Sequence, residues 1–282
     1  MIIGVSTLRI SLPVFVAEQH GMFIKHGIDA EVRRFDTAQP LADELAAGRI
    51  DAGGYVAFPI LFPPGAPAPR VRVVTAVVED AAHPLSYLLV KKGSGLRGVA
   101  ALRGRRIGIL PTAAYRRWLE AILRHDGLRL EDVSIVPLAP SLEVDALAGN
   151  GVDALFTGDP MATAALARGL AEPLTDTPDV PRVLGDPFLF GTFAITEDFA
   201  QKHPAQARAL ADALDEAIAI ISADRAVGTV AMKPYVRESE RPFVDRYPAA
   251  RYLRSGEVGA AQLDRALELS GTDARAATVA LP

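Results

Sequence analysis

The 282-residue sequence contains no cysteine, which removes disulfides, thiolate nucleophiles, iron–sulfur clusters and cysteine-ligated zinc together. Aromatic residues make up only 6%, and no apolar run approaches the roughly 18–20 residues that span a bilayer. Positive charge is neither in excess nor clustered. The formal net charge is −4 and the arginines are scattered, so neither nucleic acid nor a polybasic membrane contact finds support. Lysine is confined to Lys25, Lys91, Lys92, Lys202 and Lys233, all away from the candidate loops described below, so a Schiff base has no evident residue. The histidines, at 20, 26, 83, 125 and 203, fall at helix ends or in loops and form no helical zinc pair. A P-loop, a G-x-G-x-x-G fingerprint and a G-x-S-x-G elbow are all missing. No metal and no cofactor is therefore expected. Met1 runs straight into IIGVS without a basic or apolar leader. The expectation is a mature chain without its signal, periplasmic or lipid-anchored outside the cytoplasm, or a cytoplasmic protein if Met1 is the native start.

What is present is a half-apolar chain punctuated by 23 Gly and 21 Pro, long enough for about two lobes. It states one phrase twice: LAAGRIDAG at 45–53 and LAGNGVDAL at 147–155. The surroundings repeat as well. IIGVS is a short buried strand, LPVFVAEQHGMFIKHG a helical stretch, IDAEVRRF a strand, QPLADELAAGR a helix and IDAGGYV a third strand. Downstream, RRIGILP, AAYRRWLEAILRHDG, LEDVSIVPL, SLEVDALAGNG and VDALFTGDP follow the same order, with Gly108 answering Gly4. Strands alternating with helices predict βαβ units and a parallel sheet in each copy, hence two Rossmann-like α/β lobes. VRVVTAVV adds a core strand to the first lobe. SYLLVKK and PFLFGTFAIT are the two strands that cross between lobes, and 197–224 forms two helices. The predicted first lobe is discontinuous, residues 1–88 plus 193–282, with the second lobe, 89–192, inserted in it.

In open parallel sheets ligands bind at the carboxyl ends of strands, where helix N-termini present free N–H groups. In the first lobe this selects Ser6, Thr7 and Arg9 after the first strand, Gln39 at the second helix, and Gly53-Gly54-Tyr55 after the third strand. In the second it selects Thr112, Ala113, Tyr115 and Asp159. Each has a plainer account. Ser6, Thr7 and Thr112 suit helix N-caps, worth about 1 kcal/mol. Arg9 suits a solvated surface, Gly54 a tight turn, and Asp159-Pro160 an ordinary turn. Tyr55 and Tyr115 would be aromatic walls of a pocket. Thr192 is included on the second crossing strand. Asp51 and Asp153, the aspartates of the doubled phrase, are expected to bond backbone groups at the helix–strand turn.

AEQHGMFIKHGIDAEV followed by LADELAAGRIDAG, with SYLLVKKGSGLRGVAALRGRRIGI, ALAGNGVDALFTGDP and GTFAITEDFAQKHPAQARALADAL, resembles the sulfonate/nitrate/taurine-type solute-binding proteins of bacterial ABC importers. The matching phrases run in the family's order over about residues 1–225. The resemblance implies a type II periplasmic-binding-protein fold, two α/β lobes joined by two crossing strands that close on a small molecule. It further implies a monomer that captures a small organic anion, a sulfonate or aromatic carboxylate, for an ABC permease. Ser6, Thr7, Tyr55, Thr112, Tyr115 and Asp159 would hold the ligand, and Arg9 could supply the charge. The superfamily also contains members that bind thiamine-pyrimidine precursors, a pyrimidine synthase, an aryl-sulfinate desulfinase and the sensing lobes of transcription regulators. A cytosolic enzyme or sensor acting on an aromatic or pyrimidine-like molecule is thus the alternative. This chain departs from both enzyme patterns, lacking every cysteine and any lysine between positions 26 and 90.

Overall fold

The computed structural model describes residues 1–65 and 69–271. In chain order the elements begin with β1 (Ile2–Ser6), α1 (Leu12–Gln19), α2 (Met22–Lys25), β2 (Glu31–Phe35), α3 (Ala38–Ala46), β3 (Ala52–Val56), α4 (Phe58–Leu61) and β4 (Val71–Glu79). They continue through β5 (Ser86–Lys91), β6 (Arg106–Ile109), α5 (Ala113–His125), β7 (Ser134–Pro137), α6 (Pro140–Ala148), β8 (Ala154–Gly158), α7 (Met161–Ala167), β9 (Ala171–Pro173) and α8 (Asp179–Leu184). The last are β10 (Phe188–Thr196), α9 (Glu197–Lys202), α10 (Pro204–Ala223), α11 (Arg225–Met232), β11 (Arg251–Leu253) and α12 (Ala260–Ser270). None of the described helices is long and apolar enough to cross a membrane.

Two compact units result. The first comprises Met1–Val78, Leu189–Tyr235 and the described residues from Ala250, and the second Glu79–Phe188 with Val236–Ala249. The first holds a six-stranded sheet in the order β11-β4-β10-β3-β1-β2, with β1 parallel to both β2 and β3. The second holds a five-stranded sheet, β7-β6-β8-β5-β9, with β6 parallel to β7 and β8. The anticipated α/β lobes are present, each with its parallel core and antiparallel additions. The tail is not all on the first unit. Segment 236–249 packs with the second, where the turn of helix at Arg241–Arg246 meets α7 and the Arg237 guanidinium donates to the Ser141 carbonyl at 2.6 Å. Residues 272–282 of the predicted first lobe lie outside the described residues.

The doubled phrase has a mechanical explanation. In the first unit the Ile2 amide donates to the Asp51 carboxylate (2.7 Å), and the Asp51 amide donates to the Ile2 carbonyl (2.9 Å). In the second, the Arg106 amide donates to the Asp153 carboxylate (2.9 Å) and the Asp153 amide to the Arg106 carbonyl (2.8 Å). Each aspartate thus clamps the start of one parallel strand to the turn entering the next, which fixes register. The paired glycines are equally physical. A Cβ on Gly4 would come within 2.6 Å of Ile50, and one on Gly108 within 2.7 Å of Leu155 and 2.8 Å of Leu138. A side chain there would hold the covering layer off the sheet.

Candidate functional site

Each unit carries its own cluster at the carboxyl ends of its parallel strands. In the first, β1 ends at Ser6, whose hydroxyl lies 3.2 Å from that of Ser11; both residues are buried. Thr7 continues the edge, its amide donating to the Phe35 carbonyl at 3.0 Å. Arg9 then turns inward and is only 2% exposed, not a solvated surface residue. Its carbonyl accepts the Tyr252 hydroxyl at 3.1 Å. Burial raises the Tyr252 phenol above its ordinary range, an effect that the Arg9 charge opposes. Gln39, half-buried in the first turn of α3, donates to Asp43 at 3.2 Å. Thr192 is fully buried within β10 opposite Val56, and its hydroxyl donates to the Val56 carbonyl at 3.3 Å.

The placement of Gly54 and Tyr55 requires correction. Both lie inside β3, which runs to Val56, not in the loop after it. A Cβ on Gly54 would sit 2.6 Å from the Phe193 Cα, so the missing side chain admits the backbone of β10. Tyr55 is fully buried, its hydroxyl 2.9 Å from that of Thr75 and its ring edge-on to Phe193 and Tyr252. It is a core residue. The small and aromatic residues that suggested a turn followed by a wall are a strand paired edge to edge with β10.

In the second unit Thr112 caps α5, accepting the Tyr115 amide at 3.3 Å, and leaves Ala113 exposed at the first helical position. Tyr115 packs at a tilt against Trp118 and Phe156, and its hydroxyl would lie 2.9 Å from a Cβ on Gly158. Its phenol is held well above the usual range by burial, then by the nearby Glu143, Glu79 and Asp159 carboxyls. Asp159 is committed to its own loop. One oxygen accepts both the amide (2.9 Å) and the hydroxyl (2.7 Å) of Thr163, and the other the Tyr87 hydroxyl at 3.4 Å.

Several residues near these loops had no place in the sequence-based set. Glu79, fully buried, accepts the Leu85 and Ser86 amides (2.8 and 2.7 Å) and the Ser86 hydroxyl (2.9 Å). Glu143, also fully buried in the first turn of α6, accepts the Thr157 hydroxyl. Its other carboxyl oxygen is enclosed and has no hydrogen-bond partner among the described residues. Burial pushes this carboxyl up to about 8, against the smaller lowering by Thr157. A sequence signal existed for Glu143: it shares the buried stripe of α6 with Val144 and Leu147. Among the described residues no group of His, Cys, Asp or Glu could hold a metal ion.

Chemically the two clusters offer hydroxyls, helical amides and one buried guanidinium, groups that can hold an anion. Comparison with known proteins agrees with that character. Residues 1–232 match the NMT1-like family. A Brucella abortus protein named as a binding protein is 27% identical over 139 residues, 49% of this chain and 41% of the relative. The chain thus spans less than half the length of that relative. The taurine-binding periplasmic protein of Escherichia coli is 27% identical over 200 residues, covering 71% of this chain and 60% of its own. Among solved structures, the alkanesulfonate-binding protein SsuA from Xanthomonas axonopodis pv. citri, bound to MOPS, superposes with a TM-score of 0.77 at 22% identity, covering 100% of this chain and 94% of that one. That likeness establishes the periplasmic-binding-protein fold.

Proposed function

Because the chain belongs to the NMT1-like family, we propose that it is a solute-binding protein that captures a small organic anion, a sulfonate or aromatic carboxylate, and delivers it to an ABC importer. The observation that carries the reading is Arg9, an arginine buried three residues beyond the end of β1, whose terminal Ser6 hydroxyl lies 3.2 Å from that of Ser11. Its charge is permanent, and its fork of donors matches sulfonate and carboxylate oxygens. In the second unit the 13-residue α5 directs its N-terminus, with the Thr112 hydroxyl and the Ala113 position, to the same end of the sheet as the end of β6. The proposed ligand contacts are Ser6, Thr7 and Arg9 on the first unit and Thr112, Ala113 and the Tyr115 hydroxyl on the second. Gln39 and Thr192 flank the first cluster, and Asp159 shapes its loop through Thr163 and Tyr87. The names of the relatives, one a periplasmic taurine binder and one an alkanesulfonate binder, support both the ligand class and an extracytoplasmic location.

The test is calorimetric titration with alkanesulfonates and aromatic carboxylates. Arg9→Ala weakens the anion at least tenfold, as expected for a charged hydrogen bond worth about 1.5–3 kcal/mol. Arg9→Gln, which retains donors without charge, separates lost charge from lost packing. Unchanged affinity in both variants, each still folded by its melting transition, removes Arg9 from the site.

A further inference from the structure

The second unit contains a cavity of about 230 Å³ beside one edge of β5. β9 pairs with β5 only from Leu89 to Lys91, so the first half of β5 has no strand on that side. Leu174 still donates to the Leu88 carbonyl at 2.9 Å, but Thr175–Pro178 then line the cavity instead of extending the sheet. This loop is tied down. The Thr175 hydroxyl reaches Asp179 at 2.7 Å, Asp179 pairs with Arg182 at 2.7 Å, and Arg182 pairs with Asp126 at 2.7 Å. The space is therefore built into the unit.

Its walls decide what fits. Tyr87, Pro84 and Pro173, all partly or fully exposed, line it with ring and pyrrolidine surface, and the buried Leu88 and Leu89 of β5 lie behind them. The charged residues lining it are Asp176 and Asp179, of which Asp179 is already paired with Arg182 and Asp176 is exposed. Like charge repels an anionic head, while the apolar walls favour hydrocarbon. At about 30 Å³ per water the volume equals that of seven or eight waters, enough for one ring or a short alkyl chain. The position is equally telling. Ser86 stands opposite Gly158 at the carboxyl end of β8, and Tyr87 runs from the cavity to Asp159. The cavity thus adjoins the loop already assigned to the site.

We infer that this cavity receives the uncharged alkyl or aryl tail of an anion whose head the second unit holds at the N-terminus of α5, so that the preferred ligands are bulky-tailed anions rather than the smallest ones. The inference rests on the anion-capture reading and adds the part of the ligand that confers selectivity. The experiment is a calorimetric series of ethane-, butane-, hexane- and octanesulfonate on the wild-type chain, Ala81→Phe and Thr177→Phe. Both substituted positions are exposed lining residues where a ring would fill the space. In the wild type, affinity rises about fourfold per added methylene until the cavity is full, the ratio that corresponds to transferring one CH₂ from water. Both variants bind ethanesulfonate like the wild type and lose the gain for longer chains. A wild-type affinity independent of chain length overturns the inference, as does full retention of the gain in both folded variants. If no sulfonate or aromatic carboxylate binds the wild type at all, anion capture itself has failed and the inference falls with it.

Discussion

Replacing Glu143 by glutamine tests whether a fully buried carboxyl governs the pH dependence of the second unit. Folding raises this carboxyl from 4.5 to about 8 because burial penalises its charged form. Below pH 4.5 it is protonated in both states and contributes nothing to the pH dependence. As pH rises past 4.5 the unfolded chain releases the proton while the folded chain retains it, so stability falls until the folded group ionises near 8. Each pH unit in that window costs about 1.4 kcal/mol, so the wild type loses about 3 to 4 kcal/mol between pH 5 and pH 8 from this group. Glu143→Gln has no such loss. The glutamine leaves an enclosed amide to satisfy, an approximately constant cost of about 1–3 kcal/mol, so the informative quantity is the difference in slope, not the stability at one pH. Urea unfolding followed by fluorescence suits the question because Trp118, the only tryptophan, belongs to the same unit as Glu143. Parallel pH profiles for wild type and variant would refute the reasoning, since they would mean that water reaches the carboxyl.

Other expectations follow from close contacts and clamps. Gly54→Ala should destabilise more than Gly4→Ala, because the new Cβ meets the Phe193 backbone at 2.6 Å in one case and the end of the flexible Ile50 side chain at 2.6 Å in the other. Thermal melts that rank them the other way would contradict this packing. Asp51→Ala and Asp153→Ala should each cost about 1–3 kcal/mol by orphaning a strand amide, with ligand affinity unchanged in the folded protein. A change in affinity without loss of stability would make either aspartate a ligand contact.

Much of the architecture was legible because it is local and stated twice. Alternating apolar runs, helix stops and the repeated Asp-Ala step gave both parallel sheets, and both aspartates proved to be backbone clamps. The misplacements arose where the deciding contact is distant in sequence. Gly53-Gly54 looks like a turn until β10, more than a hundred residues later, is laid against it. Segment 236–249 has weak periodicity, and its placement depends on α7 and on the Ser141 carbonyl. Arg9 could be picked out as the residue after a strand, but its burial depends on the rest of the first unit, including the Tyr252 hydroxyl on its carbonyl. Glu143 was visible as an acid on an apolar helical stripe, yet only the fold pairs it with Thr157.

The central claim, capture of an organic anion without chemical change, is tested most directly by titrating the purified chain with alkanesulfonates and aromatic carboxylates and analysing the ligand afterwards. Capture predicts saturable one-to-one binding, a raised melting temperature and ligand recovered intact. Turnover of the ligand, or no saturable binding across both classes, would contradict it.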